Sequence, residues 1–420
     1  MTDLLNPYAQ RGKRTVEIEA SFPGSAVPAD TFNRPKSMIL TQRIKGHDVM
    51  VLQYEEEMAG ATRLLKTGSP VSVTWGTTNV GETVTWVGYV HTTRPRRVGN
   101  VSGYTEIVCV SPSMILKQAG QDTWVNRPVM QTAADILARA NLDAKIEQHP
   151  LTDTILQHGR TYWQVLRDIA TLTGYSLTSK NTEVVMLPHK SFFDLYSSRA
   201  RVFSPGSSLD MNVEVSDRTL YSFVPDWSDM SEDTYALHAE ITNWAVDPRT
   251  GNVQSATVTN PSQQIASGRE NPVVQRFTHG KASYNVSDAR RLAQDTLADR
   301  RWVNQAKMVG LGSPDIAPYQ PIYVDGMSPD VDGWWQVLEV EHEIHGRTEY
   351  QVSMRVGRDG STITYPKPSV LPVVPDAEVM RRSNLVSSDM RTSAFITTSY
   401  ASKGLTGFGD VGGYWVARRT

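Results

Sequence analysis

The chain has 420 residues, 39% of them hydrophobic and 20% charged, a composition that excludes a largely disordered protein and allows about two to four globular domains. Its net charge of −2 argues against bulk electrostatic attraction to nucleic acid or to an anionic membrane. The single cysteine, Cys109, excludes an intrachain disulfide framework, and no apolar run approaches the ~20 residues of a membrane span.

Residues 1–120 predict a first β domain. The run Thr83-Val84-Thr85-Trp86-Val87-Gly88-Tyr89-Val90 has the β-branched and aromatic enrichment of a strand. Glycine and proline recur between such runs, which indicates short strands in a barrel or sandwich. Residues 55–65 are compatible with a short helix or with a loop. Cys109 lies in another strand-like run, so we expect a buried thiol rather than a nucleophile.

Residues 121–204 predict a small α+β domain. Pro128 suits the first turn of a helix whose apolar positions include Ala133 and Leu137. A second helix is predicted to begin at Thr161, because Thr161 and Gln164 form a capping-box pattern, and to end at Gly174. A hairpin is predicted around Lys180-Asn181.

Residues 205–360 predict a second β domain with one embedded helix. Ser287 is the expected N-cap of that helix, with Asp288 in its first turn. Residues 349–356 alternate strictly and predict a strand. Its core-facing side chains would be Tyr350, Val352, Met354 and Val356.

Residues 361–420 differ from the rest of the chain. Four prolines between 366 and 375 prevent one continuous helix or central strand there, and many glycines follow. The segment nevertheless contains many large apolar side chains, among them Phe395, Phe408 and Trp415. We therefore expect an extended C-terminal arm that docks on another subunit or on another tail protein, the alternative being an arm that folds back on its own domain.

The motif at residues 341–345, Glu-His-Glu-Ile-His, is one residue short of the metalloprotease pattern HExxH. The surrounding sequence alternates like a strand, and on a strand His342 and His345 point to opposite faces. We therefore predict a structural strand here and no metal site.

Other candidate sites are weaker. Gly310-Leu311-Gly312 lacks the third glycine of a dinucleotide loop and follows a helix instead of opening one. Residues 55–57 form an acidic run that predicts a solvated surface or an interface. The basic residues at 94–97, Arg199 and Arg201 are compatible with a DNA channel or, more simply, with solvated loops. We assign no catalytic, cofactor-binding or metal-binding residue.

A family resemblance comes from the order of short motifs in the last two thirds of the chain. After the helix at Ser287 come Gly310-Leu311-Gly312-Ser313-Pro314, Ala317-Pro318-Tyr319-Gln320-Pro321, Gly333-Trp334-Trp335-Gln336-Val337, Val340-Glu341-His342 and Tyr350-Gln351-Val352-Ser353-Met354. This order resembles the late control D family of phage tail baseplate hubs. That family includes the T-even baseplate hub and the hub portion of type VI secretion spike proteins.

The middle of the chain resembles the same family. The matching motifs are Ala134-Asp135-Ile136-Leu137, Gln157-His158-Gly159-Arg160-Thr161 and Leu166 with Ile169-Ala170 and Gly174. The likeness covers residues 120–358 well and 14–118 loosely, and the last sixty residues match no pattern of the family. One departure is that the family usually has Gly after the proline that opens its strand pair, where this chain has Tyr319 after Pro318.

The resemblance implies a β-rich α+β fold with two β-barrel-like tube domains, a small α+β insert and an extended C-terminal arm. It implies a homotrimeric virion protein, made in the host cytoplasm, that joins the sixfold tail tube to a central spike. Implied partners are the tail tube or distal tail protein, the spike or tip protein and the tape measure protein. DNA would pass through the channel without specific binding, and we expect neither enzyme activity nor a cofactor.

Two other functions stay open from the sequence. A tail-associated peptidoglycan hydrolase would need a deep pocket with perturbed titratable groups. A receptor- or carbohydrate-binding tail protein would need an exposed aromatic platform.

Deleting residues 377–420 tests the role of the arm. We expect a folded protein that fails to assemble, because the arm's apolar residues would be buried against a neighbour. Circular dichroism measures folding and native mass spectrometry measures assembly. A truncated chain that unfolds would instead assign the arm to the subunit's own core.

Overall fold

A computed structural model gives the fold of the chain. It describes residues 16–26, 31–55, 64–77, 82–96, 103–188, 200–205, 219–226, 240–247, 249–259, 276–278, 285–299, 302, 304–329, 331–346, 349–358, 405–411 and 414–419. Within these ranges, no helix is both long and apolar enough to cross a bilayer.

The elements follow in chain order. The first β region contains β1 (Val16–Ser21), β2 (Ser37–Arg43), β3 (Val49–Tyr54), β4 (Pro70–Thr77), β5 (Glu82–Arg96), β6 (Tyr104–Val110) and a 3-10 helix (Pro112–Lys117). The α+β insert contains β7 (Thr123–Pro128), α1 (Val129–Arg139), β8 (Asp143–Ile146), β9 (Thr152–Leu156), α2 (Tyr162–Thr173), β10 (Tyr175–Lys180) and β11 (Glu183–Pro188).

The second β region and the C-terminal segment complete the fold. They contain β12 (Arg201–Phe203), β13 (Leu220–Asp226), β14 (Glu240–Val246), β15 (Val253–Thr259), β16 (Arg276–Thr278), α3 (Val286–Asp299), β17 (Asn304–Leu311), β18 (Pro321–Val324), β19 (Gly333–His345), β20 (Glu349–Arg358), β21 (Leu405–Val411) and β22 (Tyr414–Arg419). The β-rich α+β class expected from the sequence is confirmed.

The largest sheet has twelve strands and contains strands from both β regions. Its main path runs β1-β4-β5-β6-β3-β2-β19-β20-β17-β13, with β18 beside β19 and β12 beside β18. Strand β19 makes the connection, because residues 339–345 pair with β2 on one side while residues 336–345 pair with β20 on the other. One buried apolar cluster draws side chains from both regions, including Leu40, Leu52, Val340 and Val352.

Alternation of apolar and polar residues explains the strands at this junction. In β20 the predicted inward positions Tyr350, Val352, Met354 and Val356 are all buried, which confirms that strand. In β19 the outward carboxylates bond across to β2. Thr41 Oγ1 donates to Glu341 Oε2 at 2.9 Å, and Arg43 Nε donates to Glu339 Oε1 at 2.6 Å.

The α+β insert has the predicted local structure. Thr161 Oγ1 accepts from the Gln164 N–H at 3.1 Å, and Gln164 Oε1 accepts from the Thr161 N–H at 2.8 Å, so the capping box is confirmed. Helix α2 ends at Gly174 in the left-handed region, with φ 65°. The hairpin of β10 and β11 turns at residues 181–182. Pro128 lies at the N-cap position of α1, one residue before the predicted place.

Helix α3 differs from expectation in its cap and in its neighbours. Asn285 caps it, because its Oδ1 accepts from the Asp288 N–H at 2.8 Å, so the assignment of Ser287 as N-cap was wrong. Leu292 lies in the apolar core of the insert, whereas Ala289 packs with residues of β14 and β15. The helix therefore joins the insert to the small sheet of β15, β14 and β16.

Parts of two predicted segments lie outside the described residues. Residues 56–63 belong to the segment that the sequence left as helix or loop. Of the predicted arm, residues 361–404 lie outside, and the described part is an antiparallel pair of strands, β21 and β22, which the sequence analysis did not predict.

Substituting Gly174 tests how α3 packs against the insert. A Cβ at Gly174 would lie 2.5 Å from the backbone oxygen of Asp295 in α3, and the residue has positive φ. We expect Gly174→Ala to lower the free energy of unfolding by about 2–4 kcal/mol. Gly159→Ala is the matched control, because φ is also positive there and a Cβ would meet nothing within 4 Å. It should cost about 1 kcal/mol in the same chemical denaturation. Equal losses of stability in the two variants would contradict the close packing of α3 against Gly174.

Candidate functional site

The motif at residues 341–345 lies in strand β19, as predicted. His342 is fully buried and faces the core, whereas His345 is exposed on the other face of the strand. The two rings therefore cannot bind one metal ion together. Within the ranges that the structure describes, no group of three or more His, Cys, Asp or Glu residues is arranged to hold a metal.

His342 belongs to a buried hydrogen-bond chain that crosses the sheet. Its Nε2 lies 3.0 Å from the carbonyl oxygen of Ile316, which only accepts, so Nε2 carries the proton. Its Nδ1 therefore accepts from the Tyr350 hydroxyl at 2.9 Å. The same hydroxyl oxygen accepts from Trp75 Nε1 at 3.2 Å. These hydrogen bonds link β4 of the first β region to β19, β20 and the loop before β18.

These hydrogen bonds give His342 a structural role, because they hold β19 against β20 and the loop before β18. Both ring nitrogens already have partners, so neutral His342 has no lone pair free for a metal or a substrate proton. Burial lowers the pKa of His342 from 6.5 to about 4, although the Ile316 carbonyl and Asp315 oppose that shift. The ring is therefore neutral at pH 7.

The glycines at 310 and 312 have a packing role. A Cβ at Gly312 would lie 2.2 Å from the ring of Tyr350, and one at Gly310 would lie 2.6 Å from the ring of Phe203. Small residues therefore let these two aromatic rings lie against the chain. The Gly-Leu-Gly sequence therefore allows close packing in the core next to the hydrogen bonds of His342.

Arg201 was a candidate for a channel-facing or solvated basic residue, and that expectation was wrong. It is 7% exposed and forms an ion pair with Asp315, with Nη2 and Oδ2 2.9 Å apart. Asp315 also accepts from Ser313. The buried Arg201 guanidinium and the partly exposed Asp315 carboxylate form a bidentate contact, which ties β12 to the loop before β18. Of the other basic candidates, Arg94 is exposed, and Arg97 and Arg199 lie outside the described residues.

Tyr319 occupies the position where the family resemblance expects glycine. Its φ is 67°, so the left-handed turn is present although the residue is not glycine. The backbone is held there by the Tyr319 N–H, which donates to Val337 O at 2.7 Å, and by Gln336 Nε2, which donates to Tyr319 O at 2.6 Å. The ring packs with Val185 and Leu187 of the insert hairpin, which offsets the strain.

Polar contacts also hold the insert on the first β region. Asn181, in the hairpin turn, accepts from the Val87 N–H of β5 at 3.0 Å. In the turn between β2 and β3, the Lys45 N–H donates to Leu177 O at 2.8 Å, and Lys45 O accepts from Trp163 Nε1 at 3.3 Å. The insert is therefore attached through its hairpin and through α2.

Two titratable groups with shifted pKa values, the buried Asp48 and the half-buried His47, lie at this junction, and the sequence analysis missed both. Burial raises the pKa of Asp48 to about 7, although its hydrogen bond from Gln42 Nε2 at 2.8 Å opposes the rise. Burial and the charges of Lys117 and Arg167 lower the pKa of His47 to about 3. His47 Nδ1 lies 2.9 Å from Ser113 Oγ. Both groups serve the joint between sheet and insert, where structural networks also perturb pKa values.

Two sequence candidates remain. Cys109 is fully buried, as the sequence predicted, and burial raises the pKa of its thiol, which disfavours the reactive thiolate. Glu55 forms an exposed ion pair with Lys36 at 2.5 Å, and Glu56 and Glu57 lie outside the described residues.

The fold is shared with tail proteins of known structure. A tail protein from Neisseria meningitidis MC58 aligns with a TM-score of 0.56 and 14% identity, over 83% of this chain and 97% of its own length. The 43 kDa tail protein of prophage MuSo2 from Shewanella oneidensis aligns with a TM-score of 0.53 and 16% identity, over 83% of this chain and 99% of its own. The resemblance seen in the sequence is confirmed at the level of the fold.

A more distant likeness is to a type VI secretion protein. The E. coli c3393 protein, a component of the type VI secretion system, aligns with a TM-score of 0.46 and 12% identity over 83% of this chain and 81% of its own. No family model and no curated protein sequence matches the chain.

Replacing His342 tests its structural role. We expect His342→Ala to lower the free energy of unfolding by about 3–5 kcal/mol at pH 7, because it leaves a cavity and two buried unpaired groups. The pKa of His342 is about 4 in the folded chain and 6.5 when unperturbed. The unfolded state therefore binds more protons between these values, and stability falls as the pH drops through this window. Urea denaturation at several pH values should show that the stability of the His342→Ala variant falls less between pH 6.5 and 4 than that of the unchanged protein.

The second histidine of the motif provides the control. His345→Ala should change stability by less than about 0.5 kcal/mol, since His345 is exposed on the opposite face. A Zn²⁺ ion bound to His342 nitrogen at about 2.0–2.1 Å would contradict the structural role.

Proposed function

We propose that this chain is a structural hub subunit of a phage tail tip or baseplate and that it is not an enzyme. The observation that carries the proposal is the single sheet built from both β regions, in a fold shared with two tail proteins over 83% of the chain. Fold likeness alone does not establish function. The motif with the appearance of an active site is satisfied internally, which favours a structural role.

In this proposal three copies form a ring around the DNA channel. Each copy contributes two β regions, so a trimer presents six to the tail tube and remains threefold towards a central spike or tip. Closed cyclic symmetry would also cover strand edges that a single copy leaves unpaired. The proposed partners are the tail tube or distal tail protein, the spike or tip protein and the tape measure protein.

The expected charge of the channel surface follows from the DNA that passes through it. DNA is a polyanion, and clustered Lys or Arg in the lumen would bind it and impede its passage. We propose that acidic and neutral polar residues line the lumen. The burial of Arg201 in an ion pair removes one basic candidate from such a surface.

The oligomeric state tests the proposal directly. Native mass spectrometry of the purified full chain, and a density map of the assembled tail, should both give a trimer. A stable monomer, dimer or hexamer in the mature tail would overturn the ring. Hydrolysis of purified peptidoglycan by the full chain would favour the tail-associated hydrolase instead.

A further inference from the structure

A cleft of about 400 Å³ lies along the edge strand β1. One wall is formed by residues 16–19 of β1. The other is formed by residues 34–36 with Tyr54 and Glu55 at the end of β3. Strand β1 is the end of the twelve-stranded sheet and has β4 as its strand partner.

The register shows which backbone groups of β1 face the cleft. The Ala20 N–H donates to Asn33 O at 2.8 Å, so the peptide groups of Ala20 point away from β4. Pairing with β4 is regular along β1, and in an antiparallel pair the direction alternates from residue to residue. The N–H and C=O groups of Val16 and Ile18 therefore also point away from β4.

These backbone groups have no strand partner among the residues that the structure describes. Among the described residues, none bonds to Val16 or Ile18 on the side away from β4. Val16 is 2% exposed and Ile18 is 7% exposed, so their unpaired polar groups are poorly hydrated. Such groups are costly unless a partner pairs with them, and an added strand supplies both donors and acceptors.

The side chains define what such a strand would contain. Val16 and Ile18 point into the core, whereas Glu17 and Glu19 point to the outer face. In an added strand, residues beside Val16 and Ile18 would be apolar and residues beside the two glutamates would be basic. The far wall carries Arg34 and the ion pair between Lys36 and Glu55, so the acidic side of the cleft is the β1 side.

We propose that the edge of β1 binds an extended segment of a partner chain in which apolar residues alternate with Lys or Arg, added as a further strand of the sheet. Within the chain itself, the hydrogen bond from the Ala20 N–H to Asn33 O already uses this edge of β1 in the way that an added strand would. Main-chain hydrogen bonds give affinity in this mode, and alternate side chains give specificity.

A synthetic seven-residue peptide of alternating valine and lysine tests the inference on the full chain. Fluorescence anisotropy should show saturable binding, and amide-resolved hydrogen exchange should show new protection of Val16 and Ile18. The amides of Glu17 and Glu19 should not change, because they already bond to β4. The same peptide, N-methylated at alternate amides, should bind about tenfold more weakly, because it cannot donate.

Charge variants complete the test. Reversing both acidic residues, Glu17→Lys with Glu19→Lys, should weaken binding about fivefold. The control Glu183→Lys reverses an exposed acid in β11 of the insert and should leave binding unchanged. Equal binding of the N-methylated peptide, or protection that appears elsewhere, would overturn the proposal. Protection of Val16 and Ile18 in the free chain would also overturn it, since the chain itself would then cover the edge.

Discussion

Strand β19 is the constraint on which the rest of the fold depends, because residues 339–345 are hydrogen-bonded on both sides. They pair with β2 from the start of the chain and with β20 from near its end. A slip of one residue in either pairing would move Glu339, Glu341 and Glu343 to the core face. The register is therefore fixed by burial as well as by hydrogen bonds, and the two β regions share one sheet and one core.

The polar groups inside that core also favour the observed alignment of the strands. His342, Tyr350 and Trp75 come from three strands of the sheet, and their hydrogen bonds are satisfied only when those strands are aligned as observed. A fully satisfied buried network is rigid, and a partly satisfied one is costly. This explains why a histidine with the appearance of a catalytic residue is neutral and enclosed.

The insert depends on the sheet for its position. Asn181 reaches β5, Lys45 bonds to both β10 and α2, and Tyr319 places a large ring against the hairpin from a turn where the family resemblance expects glycine. The strained Tyr319 backbone is held by two hydrogen bonds and by the packing of its own side chain. An insert attached at several points suits a subunit whose proposed work is to hold neighbours in fixed places.

Local patterns in the sequence were sufficient to predict the capping box at Thr161, the helix end at Gly174, the hairpin around Asn181 and the alternation of β20, because each depends on residues within a few positions of one another. Periodicity shows which face of an element is apolar but not what packs against it. Only the tertiary structure therefore decided that β2 pairs with β19, that α3 enters the core of the insert, and that Arg201 meets Asp315 across 114 positions. The cap of α3 was decided by backbone geometry, since Asn285 and Ser287 both have a side chain able to cap. The partners of His342 also come from distant strands, and no spacing within the motif itself could specify them.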